Sequence, residues 1–253
     1  TIGINESIAT GTTVDIDTSG NTTTIAEAGD ITAGGAVTFG ANKTGTLTTA
    51  GEITTSDDDV TFTNAVTLQG DVEIDTTSSG NILFSSTVAT GDKNLTLDAG
   101  EYGDITADAS ITGGGALTVR DGAVQTYKGN IDVGSLEILD ATDSVTLGAD
   151  TSKTVKTATS VDINSLTGKL TQNASVTAGT SVDYDAAGTI GINEFITTGT
   201  TIDIDALQTT TIAEAGNITS GGAVTFGADK AGTLTTAANI NTTDDNVTFA
   251  NAV

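Results

Sequence analysis

Residues 1–66 return, almost letter for letter, at residues 189–253. The first copy opens Thr1-Ile2-Gly3-Ile4-Asn5-Glu6 and the second Thr189-Ile190-Gly191-Ile192-Asn193-Glu194. Both run on through Thr-Ile-Ala-Glu-Ala-Gly (24–29 and 211–216) and Gly-Gly-Ala-Val-Thr-Phe-Gly (34–40 and 221–227). A slip of one residue near Gly20 and Asn21 keeps the copies aligned to Val66 and Val253. A sequence that starts over after 188 residues is a tandem repeat. Such repeats stack into extended objects in which each unit touches only its neighbours. Residues 1–188 therefore read as one full repeat of a continuous solenoid, and residues 189–253 as the start of the next, with no separate globular domain.

A shorter beat runs inside the long one. Apolar anchors come in triplets six or seven residues apart: Ile2, Ile8 and Val14; Ile25, Ile31 and Val37; Leu47, Ile53 and Val60. The pattern recurs at Ile82, Val88 and Leu95, at Ile105, Ile111 and Leu117, at Leu170, Val176 and Val182, and from Ile190 to Val247. Triplets restart every ~20–23 residues, a solenoid length. Val66 and Val72 read as a shortened turn, and the anchors Val124, Ile131, Ile138, Val145 and Val155 have no unique spacing. Counting these as coils gives about nine coils per long repeat, roughly 21 residues each.

Many anchors belong to apolar-x-apolar pairs, such as Val37-Thr38-Phe39 and Val182-Asp183-Tyr184. A period of two is a strand with one face inside. Gly sits at regular offsets, as at Gly11, Gly34, Gly179, Gly199 and Gly221, where a corner recurring in every coil needs a tight turn. No 3.6-residue period appears, and Thr and Gly are too dense for helix. The expected fold is all-β: a right-handed parallel β-helix with three short strands per coil, its hand set by the crossover rule. Nine coils would rise about 43 Å.

Composition narrows the function classes. The net charge is −25, with Arg120 as the single Arg and no His. That disfavours nucleic acid and anionic membrane surfaces as partners, and it keeps a long polymer soluble. No apolar run is long enough to span a bilayer, so no membrane insertion is expected in this segment. There is no Cys for disulfide or thiol chemistry, and no Pro to interrupt a strand ladder. The lack of Met suggests a window onto a longer protein.

The run Asp-Val-Thr-Phe-Thr-Asn-Ala-Val-Thr-Leu-Gln-Gly-Asp-Val-Glu-Ile-Asp-Thr (59–76) resembles the β-strand-repeat regions of giant bacterial surface proteins. So do Gly-Asn-Ile-Leu-Phe-Ser-Ser-Thr-Val (80–88) and Asn-Leu-Thr-Leu-Asp-Ala-Gly (94–100). More broadly the chain is similar to filamentous-haemagglutinin-like adhesins. The resemblance implies a right-handed β-helix in an extracellular or cell-surface fibre exported through an outer membrane.

Several clusters invite a sharper reading. Asp57-Asp58-Asp59, repeated as Asp244-Asp245-Asn246, is the densest run of charge and is a candidate for calcium. It occupies a corner between anchors, where Asx residues are ordinary turn formers, and the plain turn is the favoured reading. The Asp-apolar-Asp strands Asp15-Ile16-Asp17, Asp183-Tyr184-Asp185 and Asp203-Ile204-Asp205 offer paired carboxylates of the kind a glycosidase uses. Their recurrence along the rod favours a solvated face with no singular cluster. Thr46-Leu47-Thr48 and Thr61-Phe62-Thr63 are similar to ice-binding arrays, but no face shows such units in successive coils. Several sequons occur, among them those at Asn21, Asn94, Asn217, Asn241 and Asn246, as expected by chance in a Thr-rich chain.

The expectation is a structural extracellular fibre and not an enzyme, with no catalytic, metal or cofactor site. Its first partner would be itself, with contact to a cell surface or glycan. The alternatives are the stalk of an adhesin, with the irregular Val124–Val161 segment as its best local candidate for binding, and a polysaccharide-active enzyme.

Overall fold

The structure, a computed structural model, describes residues 1–42, 44–165, 167–230, 232–243 and 245–250. Among these residues it contains 35 strands, numbered β1 to β35 in chain order, and no helix. Every third strand pairs in parallel with the next, giving three sheets of 12, 12 and 11 strands. β1 (Ile2–Ile4) begins the first sheet, β2 (Ile8–Thr10) the second and β3 (Val14–Ile16) the third. The chain is an all-β solenoid, as the short period requires.

Each coil puts its apolar anchors inside. On the third sheet Val14, Val37, Val60, Ile82 and Ile105 stack rung on rung. Beside them Phe39, Phe62 and Phe84 stack with ring centroids 5.3 and 4.7 Å apart and planes within 7°. Such stacking adds about 0.5–1.5 kcal/mol per pair beyond area burial. Outward positions of the same strands carry Thr38, Thr61, Thr106, Thr126, Thr146 and Thr171, β-branched residues suited to a pleated, half-exposed face.

Two details of the expected phase change. Val66 and Val72 do not form a shortened turn. They belong to β10 (Ala65–Leu68) and β11 (Val72–Asp75), and β12 (Ile82–Phe84) completes a full coil with them. The segment with no unique spacing is also regular coil: β18 (Val124–Tyr127), β19 (Ile131–Val133), β20 (Ser135–Ile138), β21 (Ser144–Leu147), β22 (Thr154–Thr157) and β23 (Val161–Ser165) join the ladders without a break. Its anchor is Gln125, not Val124, and Gln125 stacks on Ile105. The fully buried amide donates from Nε2 to Asp140 O at 2.6 Å, and its Oε1 accepts from Tyr127 Oη at 3.3 Å. A polar anchor hides from a hydrophobicity count. Corners vary too: Gly134 alone separates β19 from β20, so Leu136 follows its stacked partner Leu117 closely in sequence, while its next partner, Val161, lies further on.

The long repeat is not a whole number of coils. Ile2 lies in β1 and its counterpart Ile190 in β27 (Ile190–Ile192). These strands are 26 apart, which is eight turns and two thirds of a ninth. The expected nine coils therefore become eight and two thirds. Every strand of the second copy sits on a different sheet from its counterpart: Ile8 on the second sheet and Ile196 on the first, Val14 on the third and Ile202 on the second. The junction itself is seamless, because Ile190 stacks directly on Leu170 of the preceding copy.

Candidate functional site

Three consecutive five-residue strands of the second sheet build the site: β23, β26 (Val182–Ala186) and β29 (Ile202–Ala206). They stack in direct register. Asp162 meets Asp183, which meets Asp203; one pleat further, Asn164 meets Asp185, which meets Asp205. Glu137, in β20, faces Asp162 from the other side. Parallel pairing sets such neighbours about 4.8 Å apart, and like charges directly opposite destabilise a ladder.

Asp229 closes the end of the double row, its N–H donating to Asp205 Oδ2 at 3.2 Å. Asp162, Asn164, Asp183, Asp185, Asp203, Asp205 and Asp229 together line a groove of about 250 Å³. Among the described residues, the row makes one ion pair, between Lys230 Nζ and Asp185. Asp205 is only 5% exposed, and its Oδ1 is buried without a hydrogen-bond partner. Asn164 Oδ1 and Asp203 Oδ1 are buried and unpartnered as well.

Electrostatics follow the crowding. Partial desolvation in the groove, reinforced by the charges of Asp162 and Asp203, pushes the Asp183 carboxyl up to about 6. Asp203 is raised by desolvation and by Asp205, and Asp162 by desolvation and by Glu137. Burial raises Asp205 too, while the N–H groups of Asp229, Ala228 and Gly227 pull it down. The groove holds a proton more readily than isolated carboxylates do.

The Asp-apolar-Asp pairs are therefore not a uniformly solvated face. Two of the three meet in one cluster, and the third does not. Asp15 lies in β3 on the third sheet, and Asp17 just beyond it accepts from Asn42 Nδ2 at 3.0 Å. In sequence, Asp15, Asp17 and Asn42 are the counterparts of Asp203, Asp205 and Asp229. The cluster needs both copies. Asp162, Asn164, Asp183 and Asp185 come from the end of the first, and Asp203, Asp205 and Asp229 from the start of the second. The signal for it was Asp-x-Asx at 162, 183 and 203, spaced by one coil each, which requires knowing the coil phase.

The other candidates resolve into corners. Asp57 adopts a left-handed conformation (φ 64°), and its Oδ1 accepts from Ser78 N at 3.1 Å. Asp59 Oδ1 accepts from both Asn81 N (2.8 Å) and Asn81 Nδ2 (2.9 Å). Asn81 Oδ1 then takes the Asp104 N–H at 2.8 Å, and Asp104 Oδ1 the Val124 N–H at 3.1 Å. The acidic turn is one rung of a corner ladder that satisfies backbone donors from coil to coil. Among the described residues, no three acidic side chains converge closely enough to ligate one metal ion directly. Asp244 lies outside the described residues, and Asp245 accepts the Thr242 hydroxyl on its carbonyl at 2.6 Å.

Two sequon asparagines are rungs of the same kind. Asn94 accepts from Ala116 N at 3.0 Å and donates to Asp71, and Asn217 accepts from Asn239 N at 2.9 Å. Asn21 turns back onto Ser19 O, Asn241 lies in β34 (Ile240–Thr242), and Asn246 immediately precedes β35 (Val247–Phe249). The Thr-x-Thr reading needs one correction. β4 (Thr22–Ile25) and β7 (Thr46–Thr49) do present such units in successive coils, with Thr22 and Thr46 hydroxyls 2.9 Å apart. The array stops after those two rungs, at Ala65.

No protein-family model matches the chain, and no curated protein or solved structure is significantly similar to it. Fold and site together define a tandem-repeat β-solenoid with an acidic groove at the repeat junction.

Proposed function

We propose that this chain is a segment of the shaft of an extracellular, cell-surface fibre. The observation that supports this reading most is the seamless junction. One copy runs into the next with all three ladders intact, so further copies extend the rod without a new interface. A continuous Val/Ile/Leu core and parallel ladders make a stiff object whose stability grows by nearest-neighbour terms. The net charge of −25 keeps neighbouring rods apart. The resemblance to β-strand-repeat surface proteins points to the same place outside the cell.

The adhesin-stalk reading draws less support, because residues 124–161 form ordinary coils rather than a distinct platform. The groove's raised carboxyl favours an acid–base glycosidase as a second reading. Yet the groove is lined by carboxylates and one amide, with no apolar or aromatic side chain to seat a sugar ring. Electron microscopy of native material from the source, with antibody raised to this chain, tests the proposal. Labelled filaments outside the cell are the expected result. Label confined to the cell interior, or soluble particles without filaments, overturns it. Hydrolysis of a polysaccharide that disappears in Asp183→Asn would establish the enzyme instead.

A further inference from the structure

We propose that two buried amide–phenol pairs, Gln125 with Tyr127 and Gln172 with Tyr184, are register pins that fix which residues of successive coils meet. The inference holds wherever the chain works, since it concerns only how the rod is wound. All four side chains are at most 1% exposed. Gln172 is the last residue of β24 (Lys169–Gln172), stacked between Leu147 and Ile192 on the third sheet. Its Nε2 donates to Ala174 O and to Glu194 O, both at 2.9 Å, and its Oε1 accepts from Tyr184 Oη at 3.3 Å. Ala174 and Glu194 stand at corresponding corners of successive coils, and Tyr184 reaches the amide from β26 on the second sheet. One side chain thus ties together a strand, two stacked corners and another sheet. Gln125 does the same more simply, holding Tyr127 in its own strand and Asp140 O one coil later.

The apolar core is nearly indifferent to a slip of two residues. Such a slip keeps the same side chains inside, because the strand period is two. The two inner columns of the third sheet are filled alike: Val145, Leu170 and Ile190 in one, Leu147, Ile192 and Ile212 in the other. Exchanging Val, Ile and Leu costs little where volume is kept. Corner length does not forbid the slip either. Gly134 alone separates β19 from β20, whereas residues 139–143 separate β20 from β21.

The amides are not indifferent. A two-residue slip carries Gln172 about 7 Å along the strand, out of reach of Tyr184 Oη and of both carbonyl oxygens. The buried N–H and O–H groups then have no partners, which costs more than the bonds contribute when made. A single buried amide fixes the register of coiled coils by this means, at some cost in stability.

The chain has no Cys, so engineered disulfides read the register without interference. Thr171 and Gly191 are outward partners on β24 and β27. Their separation of about 4.8 Å lies within disulfide range, and a Cβ on Gly191 meets only Leu170 O, at 3.9 Å. Thr189 and Asn193 lie two residues off that register, about 8 Å from Thr171 and too far to bridge. Thr171→Cys is combined in turn with Gly191→Cys, Thr189→Cys and Asn193→Cys, in the parent and in a Gln172→Leu/Tyr184→Phe background. The whole chain is unfolded in urea, refolded and oxidised, and the bridges are counted by mass spectrometry. In the parent only the bridge between positions 171 and 191 should close. Without the pin, the two off-register bridges should rise roughly tenfold or more, the ratio set by one unpaired buried group. Circular dichroism should still show a folded chain with a denaturation midpoint at or above that of the parent. An unchanged set of bridges in the pinless background overturns the proposal. So does a pinless chain that no longer folds, because the pair would then hold the fold together rather than select among registers.

Discussion

Ile2 and Ile190 hold the same place in the sequence repeat but not in the solenoid: Ile2 lies on the first sheet and Ile190 on the third. The copies are related by eight and two-thirds turns, so each new copy is set back by a third of a turn. Twenty-six turns, or three copies, are needed before a position returns to its own sheet. An expressed array of six copies carrying one surface label per copy should show labels about 42 Å apart along the axis, stepping round the rod with a three-copy period. Cryo-electron microscopy of the labelled array checks this. Labels in a single line along one side would contradict it.

Gly199 and Gly191 predict different outcomes. A Cβ on Gly199 would lie 2.2 Å from the carbonyl oxygen of Gly179 in the coil below. A Cβ on Gly191, at an outward position of β27, would meet only Leu170 O, at 3.9 Å. Gly199→Ala should therefore cost about 1–3 kcal/mol, and Gly191→Ala should change stability by less than about 0.5 kcal/mol. Urea denaturation of the two variants decides it, and equal midpoints would remove the corner-contact argument.

Phe62 is held between Phe39 and Phe84. Phe62→Ala removes both stacking partners from a fully buried position and should cost about 3–5 kcal/mol. Phe62→Leu keeps most of the volume and should cost less than half of that. Chemical denaturation followed by circular dichroism reads both, and an Ala variant within 1 kcal/mol of the parent would mean that the column has collapsed around the gap.

The groove predicts how stability depends on pH. Asp183 has a folded-state value near 6, above the ordinary carboxylate value of about 4 in the unfolded chain. The fold binds that proton more tightly than the unfolded chain does. Its contribution therefore favours folding below about pH 4, fades as pH rises through about 6, and is absent at pH 7 and above. Asp162, Asp203 and Asp205 are shifted in the same direction. The unfolding midpoint should rise as pH is lowered from 7.5 to 5.0. Asp183→Asn should raise the midpoint at pH 7.5 and flatten the profile. An unchanged profile in that variant would exclude Asp183 as the source.

Much of the fold was legible because its determinants are local. Anchors such as Val37 and Phe39 alternate with Thr38, and corners carry Gly or Asx, so strand and turn follow from neighbouring letters. The phase was not legible, because three coils hide their anchors. Thr23, Gln125 and Thr210 are buried polar residues in columns otherwise filled by Val, Ile and Leu. Counting apolar letters skips them and rounds the repeat to nine coils. The groove was missed for the same reason. Asp162, Asp183 and Asp203 are separated by one coil of variable length, and only the register of β23, β26 and β29 reveals that they stack on one another.

The corner ladder has a direction. Asp59 accepts from Asn81, Asn81 from Asp104 and Asp104 from Val124, always from the later residue to the earlier. Asp30 receives Glu52 and Asn130 receives Thr154 in the same sense. At these corners the earlier coil holds out a side-chain acceptor, and the later coil brings the backbone N–H to it. A coil added at the carboxyl end therefore finds these landing points already in place, like a rope laid onto a drum whose grooves are cut by the previous wrap.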